Sequence, residues 1–127
     1  MQTRRQSAEP DVVAPDGSAI RLLVSGGRAS TVHCSLQTGE TTAAVRHRTV
    51  EEIWYCLSGR GELWRKLEGQ EQITPLEPGV SVDIPLGVEF QFRAADDEPL
   101  EILIATMPPW PGEDEAVAVR GPWAASA

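Results

Sequence analysis

Apolar and polar residues alternate along most of this chain in short segments, each six to eight residues long. The nine segments are AIRLLVSG, STVHCSLQ, TTAAVRH, EIWYCLSG, GELWRKL, EQITPL, VSVDIP, VEFQFRA and LEILIATM. Glycine, proline or acidic residues separate them, and no apolar period of about 3.6 residues persists as it would along a helix. The pattern predicts an all-β fold. Because antiparallel sheets must hide an apolar face and their edges, we expect a sandwich or a barrel-like jelly roll.

The two ends of the chain differ in composition from the middle. Residues 1–17 are polar and contain two prolines, so we expect them to be flexible or to drape over the surface. Residues 18–107 form the predicted barrel. Residues 108–127 hold too many prolines for a central strand, yet Trp110 and Trp123 are costly to leave in water. We expect this extension to pack on the barrel or on a partner subunit.

Length and charge limit the classes of function. The chain has 127 residues, which fits one domain, and 11 basic against 19 acidic residues give a formal charge of −8. This balance argues against nucleic acid and against an anionic membrane surface as partners. The two cysteines are too few for a disulfide framework, and we find neither a signal-peptide pattern nor an apolar run of membrane-spanning length. We therefore expect a cytoplasmic protein.

Five positions in the stretch 39–59 resemble the first sequence motif of the cupins in their spacing. In that motif a glycine, two alternate histidines, a glutamate and a closing glycine occur at fixed intervals. The corresponding residues here are Gly39, Val45, His47, Glu52 and Gly59.

A second group of residues resembles the start of the second cupin motif. Gly79, Pro85 and Gly87 have the spacing of that motif, within GVSVDIPLG. The resemblance covers about residues 19–107. It implies a double-stranded β-helix, usually a homodimer, with a site inside the mouth of the barrel.

The resemblance breaks down at the metal ligands. In the family, two histidines and a glutamate of the first motif and one histidine of the second bind a metal. The four positions hold Val45, His47, Glu52 and Phe90 here. Only one other histidine, His33, is present in the chain, and fewer than three protein ligands hold zinc or ferrous iron poorly. We therefore expect no metal cofactor; the alternative is a divalent transition metal in a rearranged site of His47, Glu52 and His33.

Strand parity predicts what surrounds the remaining imidazole and carboxylate. Side chains alternate between the two faces of a strand, so Val45 points inward if His47 does, and Trp54 and Cys56 share the face of Glu52. The predicted pocket residues are Val45, Trp54, Cys56, Phe90 and Phe92. An apolar pocket with few polar groups is typical of a site for a small-molecule ligand. For Cys56 and Phe92 the sequence favours a plain core position instead.

Other residues with chemical potential receive simpler predictions. We expect His33 to face solvent or a hydrogen-bond partner, and Cys34 to be a small buried residue. Tyr55 has the opposite parity from Glu52, which places it outside the cavity or in a subunit contact. The acidic run 113–115 predicts a solvated turn.

Three functions are compatible with this sequence. The first is a metal-independent isomerase, epimerase or lyase acting on a small polar metabolite, with His47 as general acid/base and Glu52 orienting it. The second is a metal-dependent enzyme of dioxygenase type with a rearranged site. The third is a non-catalytic ligand-binding protein, in which the histidine and glutamate serve only stability.

Overall fold

The chain folds into two antiparallel β-sheets, in a computed structural model that describes all residues from Met1 to Ala127. The strands are β1 Val12–Val13, β2 Ala19–Ser25, β3 Ser30–Leu36, β4 Val45–His47, β5 Glu51–Gly59, β6 Gly61–Leu67, β7 Gln70–Leu76, β8 Ser81–Ile84, β9 Glu89–Ala94, β10 Leu100–Met107 and β11 Ala116–Ala118. One sheet has the order β1-β2-β3-β10-β5-β8 and the other β11-β4-β9-β6-β7. The predicted all-β jelly-roll barrel is confirmed. The only helix is a single 3-10 turn, Glu113–Glu115, and no helix could cross a membrane.

Strand β5 shows how the sequence pattern places residues inside the barrel. Its residues alternate strictly, with Glu52, Trp54 and Cys56 buried and Ile53 and Tyr55 exposed. It pairs with β10 on one side and β8 on the other, so it lies inside its sheet. The apolar core between the two sheets contains the inward residues of β5, β9 and β10.

The amino-terminal segment lies against the barrel. Strand β1 pairs with β2, and the side chain of Asp11 accepts a hydrogen bond of 2.8 Å from the Leu22 backbone N–H. The Arg21 guanidinium donates to the backbone carbonyls of Ser7 and Ala8. These contacts tie residues 7–13 to strand β2.

The carboxy-terminal extension packs on the barrel of its own chain. Strand β11 pairs with β4, and the Gln91 side chain binds both the N–H and the carbonyl of Trp123. The guanidinium of Arg93 lies 4.0 Å from the centre of the Trp123 ring. Gly121 sits so close to Gln91 that an added Cβ would come within 2.2 Å of its side-chain oxygen. The extension is thus part of the folded unit.

The predicted homodimer stays a prediction. The outward face of β5 exposes three large, mainly apolar side chains at alternate positions of the strand, Ile53, Tyr55 and Leu57. Such a face is a surface that a second copy could cover. Light scattering at micromolar concentration should give twice the chain mass of 13.8 kDa. A mass of one chain would contradict the prediction.

Candidate functional site

A cavity of about 410 Å³ lies between the two sheets. Strands of both sheets line it, and so do residues 12–16 and Trp110 from the two terminal segments. The volume falls in the range of small-molecule sites, which runs from about 300 to 1,000 Å³. The terminal segments, which the sequence pattern assigned to the outside of the barrel, therefore complete the wall of its cavity.

His47 ends the short strand β4 and lines this cavity. Its ring meets Phe90 edge-on at 5.1 Å and Trp110 edge-on at 5.2 Å between ring centres. Its Nδ1 is buried and has no hydrogen-bond partner. Burial lowers the pKa of His47 to about 4, although the nearby charge of Glu115 acts to raise it. The imidazole is therefore neutral at pH 7.

Glu52 lines the same cavity and is held by two hydrogen bonds. Its Oε1 accepts a bond of 3.0 Å from Trp54 Nε1, and its Oε2 accepts one of 2.7 Å from Thr106 Oγ1. Burial raises the pKa of Glu52 to about 7, since it outweighs the lowering by these two bonds. The predicted hydrogen-bonded pair of His47 and Glu52 does not form, because the partners of Glu52 are Trp54 and Thr106. The carboxyl group, and not the imidazole, has its pKa near neutrality.

Four of the five predicted pocket residues line the cavity. They are Val45, Trp54, Phe90 and Phe92. The Trp54 ring meets Phe90 and Phe92 edge-on at 5.7 and 4.9 Å between ring centres, so the aromatic wall is continuous. Cys56 is buried in the core outside the cavity, where its thiol contacts the Ser58 carbonyl at 3.7 Å.

The structure does not bring His33 to the cavity. His33 has the opposite parity from Cys34, which lines the cavity, and its Nε2 lies 3.2 Å from Oε1 of Glu101. Its exposed fraction is only 3%, so the expectation of a solvent-facing ring is wrong. The ring is buried with its Nε2 against the Glu101 carboxylate, and its Nδ1 has no hydrogen-bond partner.

The residues around the cavity do not fit the metal that the family pattern implies. Val45 and Phe90 offer no lone pair at two ligand positions, and His33 points to the other face of its sheet. No group of three or more histidine, cysteine or acidic side chains lies close enough together to hold a metal ion.

Asp16 is a cavity residue that the sequence reasoning missed. It is 9% exposed, and its Oδ1 accepts bonds from the Ser18 N–H at 2.9 Å and the Ser18 hydroxyl at 2.7 Å. Burial raises its pKa, against the lowering effect of Ser18. The signal was the Asp-Gly-Ser sequence, which is typical of a tight turn, and Gly17 indeed has a φ of 96°. A turn signal alone does not say that the turn is buried.

Glu115 corrects the prediction of a solvated acidic turn at residues 113–115. It is 4% exposed and accepts hydrogen bonds from the N–H of Thr49 and of Val50 and from the Thr49 hydroxyl. Burial by itself would raise the pKa of Glu115, but these bonds outweigh it and the pKa is lowered. The ionised carboxylate thus fixes the loop that joins His47 to Glu52.

The raised pKa of Glu52 predicts a pH-dependent stability. Its pKa is about 7 in the folded protein against an ordinary value of 4.5, so its contribution is fully present below pH 4.5 and is lost as the pH rises through 7. The loss amounts to about 3 kcal/mol. Glu52→Gln cannot ionise, so we expect it to lose less stability than the native protein between about pH 5 and pH 8. Urea denaturation at both pH values measures the difference.

The matched control for this prediction is Glu51→Gln, because Glu51 is the exposed neighbour on the same strand. Its stability should follow that of the native protein at both pH values. Parallel pH profiles for Glu52→Gln and the native protein would show that Glu52 ionises normally in the fold.

Comparisons with known proteins agree with the architecture. A family model described as "Cupin domain" matches residues 32–106. The uncharacterized protein MJ1618 of Methanocaldococcus jannaschii is 30% identical over 110 residues, which are 83% of this chain and 85% of that protein.

Solved structures extend this agreement to the fold as a whole. The structure of Streptomyces PAC13 with uridine has a TM-score of 0.72 and 16% identity, covering 94% of this chain and 93% of that chain. KdgF from Halomonas sp. has a TM-score of 0.67 and 16% identity, covering 85% of this chain and 94% of that chain. At such identities the likeness is one of fold alone.

Proposed function

Because the chain belongs to the cupin family, we propose that its cavity binds a small polar metabolite and transfers a proton on it without a metal, with Glu52 moving the proton. The observation that carries this proposal is the Glu52 carboxyl group, which lines an apolar cavity and has a pKa of about 7. A general acid/base works best when its pKa lies near the working pH. Buried carboxyl groups with strongly shifted pKa values are enriched at catalytic sites.

The chemistry is an isomerase, epimerase or lyase step. The Glu52 carboxylate takes a proton from a carbon next to a carbonyl group: the C–H bond breaks, a carboxylic O–H bond forms, and the electron pair moves into the enolate. Return of the proton to a neighbouring carbon or to the opposite face completes an isomerisation or an epimerisation. Loss of a leaving group from the enolate instead completes an elimination.

His47 has a different role in this proposal from the one that the sequence predicts. Its neutral imidazole binds and orients the ligand through a hydrogen bond, since the ring lines the cavity and bonds to no other residue. Trp54 and Phe90 form the wall against which the apolar side of the ligand packs. The structure of Streptomyces PAC13 with uridine supports a small-molecule ligand for this chain as well.

A non-catalytic ligand-binding protein is the second candidate. It is favoured by the fact that both oxygens of Glu52 already accept a hydrogen bond inside the protein. Each carboxylate oxygen still has a second lone pair, so these bonds do not prevent proton transfer. We also propose a cytoplasmic location, since Cys34 and Cys56 are both free.

Deuterium exchange tests the function even when the product is unknown. The native protein is incubated in D₂O with pools of sugars, keto acids and nucleosides, and carbon-bound deuterium is followed by NMR. A proton-transfer enzyme should place deuterium at a carbon next to a carbonyl group of its substrate. Binding of a pool member, seen as a rise in melting temperature, without deuterium incorporation or product would favour the second candidate.

We predict that the purified protein carries no stoichiometric transition metal. The physical reason is that Val45 and Phe90 cannot donate an electron pair, which leaves His47 and Glu52 as the only family ligands in the cavity. Elemental analysis is the measurement. About one metal ion per chain that disappears in His47→Ala would establish a rearranged metal site instead. A metal unaffected by His47→Ala would lie elsewhere and would also contradict the prediction.

A further inference from the structure

The charged groups around the cavity are unbalanced. The charged side chains that line it are Arg4, Asp16, Glu52 and Glu113. Of these, Asp16 and Glu52 are buried. Arg4, near the start of the chain, is exposed. The buried part of the cavity therefore contains two carboxyl groups and no cationic side chain.

Resting on the proposed function, we propose that the ligand of this cavity carries a protonated amine, which Asp16 and Glu52 receive together. Buried charges in proteins are normally paired, and the carboxyl groups of Asp16 and Glu52, which burial shifts towards their neutral forms, have no counter-charge within the chain. A positively charged ligand would supply it. An anionic ligand would meet the two carboxyl groups without a buried cation to offset its own desolvation.

Hydrogen-bonding capacity around the cavity points the same way. Only Oδ1 of Asp16 accepts hydrogen bonds, both from Ser18, and Oδ2 has none. His47 is 5% exposed, lines the cavity and leaves Nδ1 without a partner. The neutral imidazole has one acceptor and one donor nitrogen, and the free carboxylate oxygen is an acceptor, whereas an ammonium group offers three donors and no acceptor. A ligand rich in donors is the complement of this site.

The electrostatic coupling of the two carboxyl groups supports the pairing. Burial is the main reason that the pKa of each is raised, and the charge of Asp16 adds to the rise at Glu52. A cation placed beside both would act against burial and favour their ionised forms. The amine would thus leave Glu52 as the carboxylate that proton abstraction requires.

The size and walls of the cavity favour an organic cation over a metal ion. No three potential ligands are close enough to hold one ion, and a space of about 410 Å³ accommodates a metabolite. Trp54, Phe90 and Trp110 line the same space, and aromatic rings attract organic cations.

Matched ligand pairs test the inference at pH 7. Glucosamine is compared with glucose, and 2-phenylethylamine with 2-phenylethanol, by calorimetric titration and by tryptophan fluorescence. We expect the amine to bind at least about tenfold more tightly than its uncharged partner in one or both pairs. Equal affinities within both pairs, tighter binding of the uncharged members, or no binding of either amine would overturn the inference.

A pair of variants tests whether Asp16 causes the preference for the amine over its uncharged partner. Asp16→Asn should lose most of the tenfold preference, whereas Asp96→Asn, an equal change of charge at an exposed position outside the cavity, should keep it. A preference that survives in folded Asp16→Asn would contradict the assignment to Asp16. If Asp16→Asn does not fold, the comparison of the ligand pairs on the native protein still decides.

The results distinguish a wrong ligand class from a wrong proposed function. Amine binding, together with no deuterium exchange into glucosamine or into any carbonyl compound of the pools, would refute proton transfer and keep the ligand class. Deuterium exchange into an uncharged or anionic substrate would refute the ligand class and keep proton transfer.

Discussion

Glu52→Gln should lower the rate of deuterium incorporation into the substrate by about 10²-fold to 10⁴-fold, the usual contribution of a general acid/base. Glutamine keeps the size of the side chain: its amide oxygen can accept from Trp54 Nε1, and its amide nitrogen can donate to Thr106 Oγ1. What it loses is the titratable proton. The loss should therefore appear in the rate, measured by NMR, and not in the folding of the variant.

His47→Gln is the informative comparison for that result. A neutral imidazole that only orients the ligand should, when replaced, weaken substrate affinity more than it lowers the maximal rate. If His47→Gln abolished exchange while Glu52→Gln kept it, the imidazole would be the proton carrier, as the sequence pattern predicts. The roles assigned here to the two residues would then be reversed.

Gly59→Ala should destabilise the fold by about 2 to 5 kcal/mol. Gly59 closes the first motif with a φ of 82°, where an alanine costs about 1 kcal/mol or more. An added Cβ would also come within 1.7 Å of the Pro99 carbonyl oxygen, so the backbone at the end of β5 must move. Forced overpacking costs about 1 to 3 kcal/mol. Urea denaturation measures the sum.

Gly69→Ala separates the two causes of that loss. Gly69 has nearly the same φ, 79°, but an added Cβ there meets nothing within 4 Å. We expect it to cost only about 1 kcal/mol. Equal losses in the two variants would mean that the contact with Pro99 is unimportant.

The period-two pattern of β5 explains why much of the site was predictable from the sequence. Because alternate residues of a strand share a face, the spacing places Glu52 and Trp54 on one face and Tyr55 on the other, and the motif resemblance indicates which face is inside. The motif spacing placed His47 and Phe90 in the same barrel, and both line the cavity. These predictions need only the alternation of side chains along a strand and the fold that the motif spacing implies.

The partners of Glu52 were not predictable, because they depend on pairing between distant strands. Thr106 lies 54 residues further along the chain and reaches Glu52 only because β10 pairs with β5. The alternation of side chains along β5 also predicted Cys56 as a pocket residue. Alternation gives the face of the strand on which a residue lies, but not how far along the strand the cavity extends. Cys56 lies beyond the end of the cavity.

The terminal segments show the limit of local pattern most clearly. Strands β1 and β11 have only two and three residues, too few for any period, and each exists by pairing with a strand of the barrel. Asp16 and Glu115 are buried for the same reason, since each lies in a segment that folds back on the barrel. His33 pairs in register with Arg21, whose guanidinium donates to the carbonyls of Ser7 and Ala8.

The cavity holds a carboxyl group, that of Glu52, with a pKa near neutrality, and an imidazole, that of His47, with a pKa well below it. Titration by NMR of protein labelled with ¹³C in its glutamate and histidine side chains measures both groups at once, with Glu52→Gln and His47→Gln to assign the signals. We expect a pKa of about 7 for Glu52 and of about 4 for His47. An ordinary pKa for Glu52, near its usual value of 4.5, together with one near 6.5 for His47, would contradict it.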